Sequence, residues 1–179
     1  MMIHRILVSL TLTLFAYSGL TAQDSNWNFI ERVQGTGYSL YGITYGNNQY
    51  VAVGELGTIR TSLDGVTWAS RVSGIRNDLY GITYGNNQFV AVGNYGSILT
   101  SPNGVTWTSR TSGTTDLFFG ITYGNNQYVA VGTGGAILAS LDGVTWTSRT
   151  SGTSGVLHGI SHGNNQFVAV GNYGSILTS

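Results

Sequence analysis

Gly85-Asn86-Asn87-Gln88-Phe89-Val90-Ala91-Val92-Gly93-Asn94-Tyr95-Gly96-Ser97-Ile98-Leu99 is the stretch that decides the fold. Its opening Gly-Asn-Asn-Gln recurs at residues 46–49, 124–127 and 163–166, always in steps of 39. The preceding Tyr80-Gly81-Ile82 keeps the same step, as Tyr41-Gly42-Ile43, Phe119-Gly120-Ile121 and His158-Gly159-Ile160. Downstream, Asp64-Gly65-Val66-Thr67-Trp68 returns at 103–107, with Asn for Asp, and at 142–146. No gap is needed to align the four copies. A period near 40 belongs to solenoids and propellers.

Each copy reads as four short strands. In the second copy these are residues 79–84, 88–93, 97–101 and 105–110, rich in Val, Ile, Thr and aromatic residues. Gly85-Asn86-Asn87, Asn94-Tyr95-Gly96 and Pro102-Asn103-Gly104 separate them, all suited to tight turns. Residues 88–92 are the most apolar and are expected deep in the sheet. No 3.6-residue apolar period persists, so helix has no support. Four strands per repeat form the blade of a β-propeller, which makes the expected fold all-β.

The rest of the chain bounds the function. There are 179 residues, no Cys, and seven Arg and Lys against seven Asp and Glu. Zero cysteines exclude a disulfide scaffold and thiolate metal sites. With 8% charged residues and no basic excess, no footprint for nucleic acid is visible. Residues 1–22 differ in texture: His4 and Arg5 precede an apolar run that ends in small residues at Ala22. This is the pattern of a secretory signal peptide, and the run is too short to span a bilayer. The expectation is a secreted bacterial protein, periplasmic or extracellular, with residues 1–22 removed and residues 23–179 forming the repeat domain. Residues 24–179 number 156, four times 39. In this register Phe29 aligns with Trp68 and Arg32 with Arg71. Residues 27–33 therefore read as a diverged fourth strand able to complete the last blade and close a four-bladed ring. Membership in a larger ring, or pairing of two chains through their blades as a homodimer, are the alternatives.

Ser62-Leu63-Asp64-Gly65-Val66-Thr67-Trp68, Ser101-Pro102-Asn103-Gly104-Val105-Thr106-Trp107 and Ser140-Leu141-Asp142-Gly143-Val144-Thr145-Trp146 resemble the Asp-box, or BNR repeat, of sialidase-like propellers. Together with the preceding Gly57 to Ser62 and Gly96 to Ser101 segments, they also resemble repeats of the photosystem II assembly and stability factor family. The box is shortened by one residue between Asp and Trp relative to the usual pattern. The resemblance implies a propeller in which Ser and Asp (Ser62, Asp64, Ser101, Asn103, Ser140, Asp142) brace a turn. It also implies that Trp68, Trp107 and Trp146 pack between blades. Asn103 supports a structural role, because Asn keeps the hydrogen bonds but cannot act as a base.

With the first strand innermost, the Gly-Asn-Asn turn and the box share one face, nearly unchanged between copies. The opposite face carries what differs. Tyr38, Glu55, Arg76, Asp78, Tyr95, Asp116, His158 and Tyr173 fall there and are the candidate binding residues. A binding or interaction module for a protein or carbohydrate, without cofactor, metal or stable membrane insertion, is the leading reading. A sialidase-like glycoside hydrolase is the alternative, with Glu55 and Tyr95 or Tyr38 as a Tyr–Glu pair and Asp78 with Asp116 as a carboxylate pair. A structural repeat promoting assembly is another. His158 and His162, four apart on one strand, lack a third metal ligand and read as substitutions of aromatic positions.

Overall fold

The structure is a computed structural model that describes Phe29 and residues 37–179. The signal-peptide segment 1–22 and all but one residue of the proposed closing strand 27–33 lie outside the described residues. Among the described residues no helix is long and apolar enough to cross a membrane.

The fold is all-β and follows the repeat. The first blade holds β1 (Leu40–Gly46), β2 (Gln49–Gly54), β3 (Ile59–Ser62) and β4 (Ala69–Arg71). The second holds β5 (Leu79–Gly85), β6 (Gln88–Gly93), β7 (Ile98–Ser101) and β8 (Thr108–Arg110). The third holds β9 (Phe118–Gly124), β10 (Gln127–Gly132), β11 (Ile137–Ser140) and β12 (Thr147–Arg149). The fourth has three described strands, β13 (Leu157–Gly163), β14 (Gln166–Gly171) and β15 (Ile176–Thr178). Every blade is an antiparallel meander in sequence order. Asn47 and Asn48 turn the first hairpin with φ of 46° and 57°, and the same Asn pair does so in each copy. Two consecutive positive φ values make the two-residue turn whose twist matches its strands.

The fourth strand is shorter than the expected 105–110, because Asn103 Oδ1 accepts the N–H groups of Val105 and Thr106 at 2.9 Å. Those backbone groups are held by the box and the ladder starts only at Thr108. The second strand is the buried one, as its composition requires: Phe89, Val90, Ala91 and Val92 are fully buried.

First strands are innermost. β1 packs on β5, β5 on β9 and β9 on β13, and no comparable packing joins β13 to β1. Among the described residues the four blades thus form an arc joined by three seams. Each seam joins the trailing face of one blade to the leading face of the next: Val51, Val53 and Ile59 meet Leu79, Ile82 and Phe89. One step later Val90, Val92 and Ile98 meet Phe118, Ile121 and Tyr128.

Glycine sets how close the blades come. A Cβ at Gly46, Gly85 or Gly124 would lie 2.1 Å from the ring of Tyr84, Tyr123 or His162 on the next blade. At Gly46 and Gly85 the clash includes the Cβ of the tyrosine, which no rotamer change moves away. Gly85→Ala should therefore force the second and third blades apart and lower stability by about 1–3 kcal/mol. Urea unfolding compared with wild type checks this, and an unchanged midpoint would show the seam to be loose.

Candidate functional site

The two motifs that recur in the sequence are halves of one inter-blade device. Gln49 Nε2 donates to the carbonyl of Asn103 at 2.8 Å, and Gln88 Nε2 donates to that of Asp142 at 2.6 Å. The Gln ending the first and second Gly-Asn-Asn-Gln thus holds the box of the next blade. Inside the box, Asp64 Oδ1 accepts from the N–H groups of Val66 and Thr67, both at 2.8 Å, and from Ser62 Oγ at 2.9 Å. Ser62 Oγ in turn accepts from Gly65 N at 2.8 Å. Asp142 and Ser140 repeat this arrangement, and Asn103 with Ser101 keeps most of it. The indole N–H groups of Trp68, Trp107 and Trp146 donate to the box glycine carbonyls. Trp107 and Trp146 pack against the seam cores. Backbone N–H donors hold the Asp64 carboxyl down to a pKa of about 2 and lower that of Asp142 for the same reason. These carboxylates brace turns and are committed as acceptors.

The opposite face is built differently. Each first strand begins with a bulge: Leu40 pairs with Gly54 and Gly42 with Val53, leaving Tyr41 as the extra residue. Tyr80, Phe119 and His158 are the bulged residues of the other copies. A bulge re-aims its side chain, and the four rings meet. Tyr41–Tyr80, Tyr80–Phe119 and Phe119–His158 have centroid separations of 5.1, 5.3 and 5.4 Å. A continuous aromatic stripe crosses the inner strands. Sequence reasoning reached only His158 of these four. The available signal was a ring immediately before the same glycine in every repeat.

Polar loops border the stripe. Asp78 Oδ1 accepts from Leu56 N at 2.8 Å, linking the first blade to the second, while Oδ2 lies 3.4 Å from both Tyr80 Oη and Asn94 Nδ2. Burial, then the Asp78 charge, raises the pKa of Tyr80. His158 Nε2 lies 2.7 Å from Asn172 Oδ1. Glu55 accepts from Ser39 N at 3.2 Å. Asp116 Oδ2 accepts from Thr114 Oγ1 at 2.6 Å. Asp78 therefore braces the turn of the preceding blade while Asp116 is engaged within its own loop, and the two have separate partners rather than each other. Glu55 is held by the first blade's backbone, whereas Tyr95 sits at the tip of a second-blade turn. Tyr38 is half-exposed beside Ser39, and Arg76 is exposed. Arg76 lines a groove of about 410 Å³ with Leu56 and Arg71, and Tyr95 lines one of about 520 Å³ with Asn77 and Arg110. Among the described residues no group of His, Asp and Glu is arranged to hold a metal.

The turns between second and third strands carry the most pointed feature. Leu56, Tyr95 and Tyr173 have φ of 52°, 52° and 58°. A bulky residue there costs about 1–2 kcal/mol. The third blade places Gly134 at the same position, with φ of 63°. The turn itself needs no side chain at this point.

No protein-family model matches the chain, and no curated protein matches it. Solved structures do. YCF48 from Cyanidioschyzon merolae is 18% identical with a TM-score of 0.63, over 79% of this chain and 53% of that one. The structure of YCF48 bound to D1 peptide gives 19% and 0.61, over 84% and 52%. The computationally designed Ika4 protein gives 14% and 0.68, over 85% and 98%. The chain is a β-propeller. It spans about half the length of the YCF48 chains it matches.

The Asp64 carboxyl titrates near pH 2 folded against an ordinary value of 3.8, so its bonds favour the folded state above pH 4. That contribution fades as pH falls from 4 to 2. An Asp64→Asn, Asp142→Asn double variant should lose less stability than wild type over this interval. Thermal melts at pH 4, 3 and 2 test the difference, and parallel curves would refute it.

Proposed function

We propose that this propeller is a secreted, Asp-box-type interaction module without catalytic activity, whose variable face binds a protein or peptide partner. One observation carries the reading. Leu56, Tyr95 and Tyr173 stand exposed at left-handed turn tips, where the third blade shows that glycine serves the fold. Strain held in place without structural need is accounted for by function. Beside these tips lie the aromatic stripe and grooves that pair an apolar tip with an Arg. Exposed rings with an adjacent Arg are the side chains that dominate protein interfaces. YCF48, which shares the fold, is seen with D1 peptide bound. The carboxylates that a glycosidase would use are each engaged by a backbone N–H or a loop hydroxyl, which favours binding over hydrolysis.

Random-peptide display against the purified protein should enrich binders whose affinity falls at least tenfold in a Tyr80→Ser, Tyr95→Gly variant. The Tyr95→Gly change alone should leave stability equal or higher by up to about 1 kcal/mol. Enrichment on a glycan array in place of peptides would replace the protein reading with a carbohydrate one. Turnover of glycosides by the wild type would overturn the non-catalytic assignment. Export is tested by expressing residues 1–179 in a bacterium: the secreted or periplasmic product should begin at Gln23, and retention of Met1 would sink it.

A further inference from the structure

The two ends of the arc present complementary halves of a seam that the molecule already forms three times. On the first blade, Leu40 is 50% exposed, whereas its counterparts Leu79, Phe118 and Leu157 are fully buried. Ile43 is 60% exposed against 8% for Ile82 and Ile121. On the fourth blade, Ile176 is 71% exposed against 1% and 0% for Ile59 and Ile98. Val170, the counterpart of the buried Val53, Val92 and Val131, is also exposed. Among the described residues, the first blade therefore offers an exposed leading face and the fourth an exposed trailing face.

The backbone repeats the pattern. Gly46, Gly85 and Gly124 are each pressed by a ring of the following blade, yet a Cβ at Gly163 meets no atom within 4 Å. Gly42, Gly81 and Gly120 lie against the backbone of the next blade, whereas Gly159 has only its own blade's Val170 nearby. Counting in steps of 39, the ring that belongs on Gly163 is Tyr45, and the carbonyl that belongs beside Gly159 is that of Tyr41. Tyr50 is the first-blade counterpart of Tyr128, whose hydroxyl donates to the Gly85 carbonyl of the preceding blade. By the same step, its acceptor across this junction is the Gly163 carbonyl.

We propose that a second copy of this chain supplies the missing halves. The fourth blade of each copy seats on the first blade of the other, giving a two-fold ring in which Tyr45 caps Gly163. The three formed seams are already at contact, with a Cβ at Gly42 or Gly81 falling 2.7 or 2.9 Å from the neighbouring carbonyl oxygen. Bringing β13 onto β1 of the same chain would have to distort all three, and packed interiors resist such strain. A second copy needs no seam to change. Pairing also leaves no open apolar face, which a lone arc would expose at both ends.

Gly163→Val supplies the sharpest test, because the added side chain enters empty space in a single chain and blocks Tyr45 only in the pair. Analytical ultracentrifugation of residues 23–179 should show a dimer for wild type and at least tenfold weaker association for Gly163→Val. Ile43→Asp, on the exposed leading face, should do the same, and circular dichroism should show both variants folded. Mixing the two variants should restore dimers, because the mixed pair keeps one intact junction. A wild-type monomer, open-ended growth with concentration, or no rescue on mixing would overturn the proposal.

Discussion

The structure depends on a contact in which one partner has no side chain. At every formed seam, Gly46, Gly85 or Gly124 lets an aromatic or imidazole ring of the next blade lie on bare backbone. That approach fixes the separation of the inner strands. Once it is fixed, the trailing valines and isoleucine of one blade reach the leading Leu, Ile and aromatic side chains of the next. At the first two seams the Gln that follows the Asn-Asn turn then reaches the neighbouring box. Conserving the glycine without the ring, or the Gln without the box, would leave half a device. This is why the segments repeat as a set, with the same 39-residue step and no insertions.

Much of this was legible in the sequence. The period located the blades, the Asn-Asn pairs located the first hairpins, and the run at residues 88–92 located the buried strand. What stayed hidden depended on distances between repeats. Gln49 and Asn103 are 54 residues apart, and nothing in either motif says that one donates to the other. The bulges were hidden for another reason: Tyr41 and Leu40 are both plausible strand residues, and register alone decides which is displaced. The aromatic stripe follows from that displacement. Of the candidate residues, His158 joins the stripe, Asp78 braces its edge, and Tyr95 and Tyr173 form turn tips. Asp116 instead closes its own loop with Thr114. Side-chain type announced that these groups were variable, but their backbone partners determined what each does.

The two faces follow opposite rules because they meet different demands. Box-face groups have their hydrogen bonds satisfied within the chain, and the depressed Asp64 pKa is the electrostatic signature of that satisfaction. Variation there would break a seam. On the other face, the turns tolerate Glu-Leu, Asn-Tyr and Thr-Gly at one position, because the bonds that hold those turns are backbone to backbone, such as Thr58 N to Glu55 O and Ser97 N to Asn94 O, both at 3.0 Å. Side chains at the tips are released from structural duty.

This separation bears on how such a molecule changes. A substitution at a tip alters what the face offers without touching any seam. A substitution at a seam glycine alters every blade beyond it, since each blade is positioned only by its neighbour. His162 illustrates the tolerance that remains: it takes the place of Tyr84 and Tyr123, keeps the ring on Gly124, and meets the Phe167 ring at 4.8 Å with a tilt of 54°. The imidazole meets the geometric requirement for a flat ring, although its Nε2 is buried without a hydrogen-bond partner. Shape is thus retained at the seam even where a buried ring nitrogen goes unpaired. That ordering is expected if the glycine–ring contact is the constraint from which the other inter-blade contacts follow.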